Sequence, residues 1–160
     1  MKRFLVAALA IVGLAAAQDA SAATLTTSMA VSATVSSVCT MSTTPLNFGE
    51  VALTGATPGT ATITVNCTAG GAYTVGIDTG LHNVAAQRNL ISGTKLLAYG
   101  LFQDLAAGTV WTNAGAGLVS GVGNALPQVL TVYGQVTTGQ ALVSGGGIPY
   151  TDTVQVTLSY

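Results

Sequence analysis

The sequence is poor in charge: its 160 residues hold four Lys or Arg, five Asp or Glu and a single histidine. Lys2, Arg3 and Asp19 fall within the first 22 positions, which leaves Arg88 and Lys95 against Glu50, Asp78, Asp104 and Asp152 beyond them. Two isolated cations cannot form the basic face that displaces counterions from phosphates, so a nucleic-acid partner is excluded. Acid–base catalysis requires a titratable group with a partner in reach, and one histidine with no carboxylates clustered in sequence does not supply it; no enzyme is expected. His82, in the polar run Gly80-Leu81-His82-Asn83, reads as an exposed turn residue. Arg88, Lys95 and Asp104 read as solvated loop or strand-edge charges. Several His or Cys at ligand spacing would be needed for zinc, and the glycine-rich turns lead into no Lys-Ser/Thr helix start, so neither a metal nor another cofactor is expected. Aromatic residues make up 6% of the chain, and the single tryptophan, Trp111, reads as core rather than as a sugar-binding platform.

Long hydrophobic runs are also scarce. The one present, residues 4–17, follows Lys2 and Arg3 and precedes Ala20-Ser21-Ala22. It falls short of the roughly 20 residues that a spanning helix needs, and the small residues suit signal peptidase. Residues 1–22 therefore read as a secretory signal peptide cleaved after Ala22, with no stable membrane insertion of the exported chain. Cys39 and Cys67 are the only cysteines. An even count in an oxidising compartment, without a Cys-x-x-Cys motif, favours a structural disulfide between them. The remaining length suits one domain.

What the sequence has in abundance is alternation with a period of two. Leu25, Thr27, Met29, Val31, Ala33 and Val35 fall on one face, and Thr26, Ser28, Ala30, Ser32, Thr34 and Ser36 on the other. This predicts a long strand, apolar on one side and mostly hydroxylated on the other. Over 60–67 the scheme recurs, with Ala61, Ile63, Val65 and Cys67 facing one way. Further strands are predicted over 46–53, 72–78, 96–103, 109–111, 129–138 and 151–160, the last with Val154, Val156, Leu158 and Tyr160 on its inner face. Turn signals at 57–59, 69–71, 113–117, 121–124 and 145–147 separate these runs. A single helical turn is predicted within 81–92. The pattern is that of an all-β antiparallel sandwich.

The first strand of the exported chain is unusual, because residues 23–39 contain neither proline nor a charged side chain. Strands near a chain terminus commonly lie at a sheet edge, and edges are normally blunted by such residues. Either the strand is covered within its own domain or it pairs outside it. Its alternation suits the second arrangement: apolar side chains can fill pockets of a partner's core while the backbone extends the partner's sheet.

Three segments carry a resemblance that covers essentially the whole exported chain. They are Cys39-Thr40 ahead of Thr44-Pro45-Leu46-Asn47-Phe48-Gly49, then Ile63-Thr64-Val65-Asn66-Cys67, and last Tyr150-Thr151-Asp152-Thr153-Val154-Gln155-Val156-Thr157-Leu158. In this order the chain resembles the spore coat protein U domain family and, within it, the Csu-type pilins of the archaic chaperone–usher pathway of Gram-negative bacteria. The resemblance implies an incomplete immunoglobulin-like β-sandwich, residues 36–160, whose missing strand is supplied by another subunit. Residues 23–35 would be the donor segment, with Leu25, Thr27, Met29, Val31 and Ala33 as its inserting face; Val35 either closes that segment or opens the domain's own first strand. Val154, Val156, Leu158 and Tyr160 would wall the groove, and the Tyr160 carboxylate would meet basic residues of a periplasmic chaperone. The implied partners are that chaperone, an outer-membrane usher and homologous pilin subunits in a homo-polymer or mixed fibre. The implied location is a cell-surface pilus, reached through the periplasm, that supports adhesion and biofilm formation. A self-associating spore coat protein and a minor adhesive subunit of the same fold are the alternatives.

Overall fold

A computed structural model describes residues 22–51, 54–140 and 149–160. The expected signal peptide lies outside the described residues save for Ala22, as do the turn expected at 145–147 and part of the strand expected over 46–53. The chain divides into two units, Met1–Thr34 and Val35–Tyr160. In the first, residues 22–34 contain neither helix nor strand, and Leu25, Met29 and Val31 are 97%, 86% and 87% exposed. The strand predicted from Leu25 onward is therefore absent as a paired element. Alternation prepares a chain for a sheet, but only a second backbone supplies the ladder.

The second unit is all-β. Its strands are β1 (Cys39–Thr43), β2 (Thr57–Cys67), β3 (Ala72–Ile77), β4 (Arg88–Ser92), β5 (Lys95–Phe102), β6 (Val119–Val122), β7 (Gln128–Val136) and β8 (Val156–Ser159). They form two antiparallel sheets, ordered β1-β2-β7-β5-β4 and β6-β3-β8. Among the described residues the sole helical element is a 3-10 turn over Gly115–Gly117, and no helix is long and apolar enough to cross a membrane.

The core follows from the alternation. Ala61, Ile63, Val65 and Cys67 of β2 are buried, and Val75, Ile77, Leu97, Leu101, Val132 and Val136 join them from the other strands. Trp111 lies in this core, and its indole N–H donates to the Val75 carbonyl at 3.0 Å. Cys39 stands opposite Cys67 in the β1–β2 register and is bonded to it across a sequence separation of 28. Closing a loop of that size contributes about 3–4 kcal/mol on the chain-entropy account.

Several expectations are corrected. Thr57-Pro58-Gly59 is not a turn but the start of β2. The β1 ladder covers only 63–67, so the leading half of β2 has a ladder partner on the β7 side alone, and proline is tolerated at such an edge. Residues 81–92 form no helical turn: Val84 and Gln87 exchange backbone hydrogen bonds of 2.9 Å around Ala85 and Ala86, and the chain then enters β4. Both alanines have positive φ, 47° and 68°, in a reversal that sequences usually announce with Asn-Gly. Residues 109–111 contribute one bridge, Phe102 to Val110, rather than a strand. Gly121, expected in a turn, belongs to β6. The final ladder is limited to Val156–Ser159, although the inward alternation reaches back to Val154.

Candidate functional site

The two sheets each end in a strand that borders the same opening: β1 for the larger, β8 for the smaller. The pairing of β1 fades at Thr44, whose N–H donates to the Thr62 carbonyl at 2.9 Å and whose hydroxyl accepts from the Thr62 N–H at 2.8 Å. Pro45 has no N–H with which to continue. The chain turns inward instead and lays Leu46 and Phe48 on Gly59 and Gly134. A Cβ at Gly134 would stand 2.8 Å from Leu46 Cδ1 and 2.9 Å from Phe48 Cε1. The Phe48 ring meets Tyr99 edge-on with centroids 5.9 Å apart.

The opposite wall is β8, which pairs with β3 through Val156–Ile77 and Leu158–Val75 and has its other edge unpaired in the described sheets. Between the walls lies a groove of about 270 Å³, floored by Ala61, Ile63, Ile77, Tyr99, Leu101 and Val132. Of the residues expected on the inner face of the last strand, Val154 and Val156 line it. Leu158 is half-buried further along β8, whereas Tyr160 is 63% exposed and borders a shallow depression with Tyr73 and Val122. Leu25, Thr27, Met29, Val31 and Ala33 belong to the other unit and are exposed.

One end of the groove is polar. The Asp152 side chain is 1% exposed; its Oδ2 accepts from the Tyr99 hydroxyl at 2.7 Å, and its Oδ1 contacts His82 Nδ1 at 2.9 Å. Gly80, at φ +80°, lies over this carboxylate, which occupies the space a Cβ would need. His82 is thus not the freely exposed turn residue that its polar surroundings suggested. Arg88 is a larger correction, for it is buried, not solvated. Its Nε donates to the Asp78 carbonyl at 2.8 Å, and its Nη2 donates to the carbonyls of Ile77 and Trp111 at 3.0 and 2.7 Å. A guanidinium offers five donors in a fixed fork, which suits a gap where strand-end carbonyls converge. Burial lowers its pKa from the usual range. Burial, reinforced by the hydrogen bond to Asp152, raises that of the Tyr99 phenol well above its ordinary value. Lys95 is exposed, as expected, and the backbone N–H groups of Gly108 and Thr109 hold the Asp104 carboxyl below the usual carboxylate range.

Among the described residues no three His, Cys, Asp or Glu side chains gather as a metal site. What the arrangement can do is accept an extended chain. Unpaired strand edges offer backbone groups, and the apolar floor offers burial. Alternation put Val154 and Val156 on an inner face, and only the resemblance implied a groove for them to wall. The sequence did not mark Leu46 and Phe48, whose contribution depends on two glycines distant in sequence, nor Asp152, Tyr99 and Arg88, which come from three separate segments.

Residues 25–157 match the Spore Coat Protein U domain. Among solved structures, the fold is similar to a chain of the CsuC–CsuE chaperone–tip adhesion subunit pre-assembly complex from the archaic chaperone–usher Csu pili of Acinetobacter baumannii. The TM-score is 0.60 and the identity 20%, over 79% of this chain and 41% of that chain. The likeness is one of fold, with less than half of the other chain's length spanned. No curated protein matches the sequence.

Proposed function

Because the chain belongs to the Spore Coat Protein U domain family, we propose that it is a non-catalytic structural subunit of a bacterial surface pilus, assembled by donor-strand exchange. The observation that carries this reading is the groove between β1 and β8, whose floor is apolar and whose β8 edge lacks a partner among the described residues. The proposed occupant is residues 23–35 of another subunit, with Leu25, Thr27, Met29, Val31 and Ala33 turned into the groove. Val154, Val156 and Leu158 form its wall. Each large apolar side chain fully buried contributes roughly 1.5–3 kcal/mol, and each ladder hydrogen bond about 1 kcal/mol net. Both terms oppose the ordering cost of one short segment, about 1–2 kcal/mol per residue fixed.

In this reading residues 1–22 direct export and are removed, a periplasmic chaperone occupies the groove first and contacts the exposed Tyr160, and an outer-membrane usher passes the subunit to a fibre of like subunits. The fibre then supports adhesion and biofilm formation. The Csu complex, a chaperone with its subunit, supports the choice of a chaperone as partner. The test is a variant lacking residues 23–35, expressed with the chaperone. It is expected to form the chaperone complex and no polymer; fibres of normal length from that variant would remove the donor assignment.

A further inference from the structure

We infer that Asp152 is the positioning residue of the groove: its buried carboxylate, gripped by Tyr99 and His82 beneath Gly80, fixes the start of the β8 wall to the opposite sheet whatever fills the groove. The pairing of β8 itself is slight, four residues against β3, its one neighbour among the described residues. An edge strand of that length needs support beyond its ladder. The support lies in the residues ahead of it. Thr151 and Ile91 exchange backbone hydrogen bonds of 2.9 and 3.0 Å, and the Leu81 N–H donates to the Thr153 carbonyl at 3.1 Å. The Gln155 N–H donates to Asp78 Oδ1 at 2.9 Å, and the Asp78 N–H returns to the Gln155 carbonyl at 3.0 Å.

Asp152 is the centre of this set and its side-chain link between sheets, beside the backbone link of Thr151 to Ile91 on β4, because Tyr99 lies on β5 of the larger sheet while Asp152 leads into β8 of the smaller one. A buried carboxylate is tolerable only with donors and a countercharge. The Tyr99 hydroxyl and the His82 backbone N–H are the donors, His82 Nδ1 lies 2.9 Å from Oδ1, and the buried Arg88 is a cation that interacts with the carboxylate through space. Gly80 fits the role doubly, since its positive φ shapes the turn and its missing Cβ makes the room for the carboxylate. Val154 and Val156 therefore face the groove before any strand enters, and preformed binding sites lose less on binding than sites that must be ordered. The identity of the entering strand rests on the proposed function; the role of Asp152 does not.

The test uses the full chain with Asp152→Asn and Tyr99→Phe, followed by hydrogen exchange and by dissociation of a synthetic peptide of residues 23–35. Amides of 154–158 are expected to lose about tenfold protection in both variants while those of 61–65 change by less than about threefold. Peptide dissociation should quicken by about tenfold as well. Val136→Ala, a core change outside the groove, serves as the control and should leave that rate unchanged. If Asp152→Asn fails to fold, Tyr99→Phe, which removes one hydroxyl, decides alone. Equal loss of protection at 154–158 and 61–65, or none at either, overturns the inference. Failure of the peptide to bind the unaltered chain would count against the donor assignment instead, and the exchange comparison would still judge Asp152.

Discussion

Gly59 stands opposite Gly134 across the β2–β7 ladder, and the bare backbone of this pair is the surface on which Leu46 and Phe48 lie. A side chain here would lift the wall of the groove. Gly134→Val is expected to destabilise the protein by about 1–3 kcal/mol, the usual range for overpacking, measured from urea unfolding midpoints. In a Phe48→Ala background the same change should cost less, because the clashing ring is gone. Additive effects in that double-mutant cycle would show that the two residues do not press on one another.

Arg88 gives a second prediction. Arg88→Met withdraws the donors that serve the carbonyls of Ile77, Asp78 and Trp111. The expected loss is about 2–6 kcal/mol in equilibrium unfolding, since two fully buried carbonyls are left without a donor at about 1–3 kcal/mol each. Arg88→Lys keeps the charge but not the fork, and should fall between the two. An unchanged midpoint for the methionine variant would mean that the guanidinium is solvated after all.

Stability should also respond to alkali through Tyr99. Its pKa is raised in the folded protein, so the folded form holds a proton that the unfolded chain releases near pH 10. The stabilisation is complete below that pH and declines above it, by about 1.4 kcal/mol per pH unit while only the unfolded state is ionised. Unfolding measured between pH 8 and about 11.5 should show this limb in the unaltered protein and a shallower one in Tyr99→Phe. Identical slopes would place the phenol in water.

The legible part of this protein is what depends on one segment at a time. Residues 60–67 announced their buried face because Ala61, Ile63, Val65 and Cys67 alternate with polar neighbours, and Val154 and Val156 did the same in the last strand. Cys39 and Cys67 could be paired from compartment and count. The turn at Ala85 and Ala86 was misread because alanine carries no signal for positive φ. Arg88 was misread for a related reason: its three acceptors lie on β3, just beyond it and after β5, so nothing in its own surroundings tells a buried arginine from a solvated one. The inner face of the β8 wall is visible as alternation, but the seat that Gly59 and Gly134 give Leu46 and Phe48 emerges only when strands distant in sequence pair.

The position of the disulfide has a mechanical consequence. Cys39 is the first residue of β1, and it is bonded to the last residue of β2 within the same sheet. Tension applied to the chain ahead of Cys39 therefore passes through a covalent bond straight into β2, next to the centre of the larger sheet. The hydrogen bonds from Thr40 to Thr43 are spared that load, and β1 is not peeled from its leading end while the disulfide is intact.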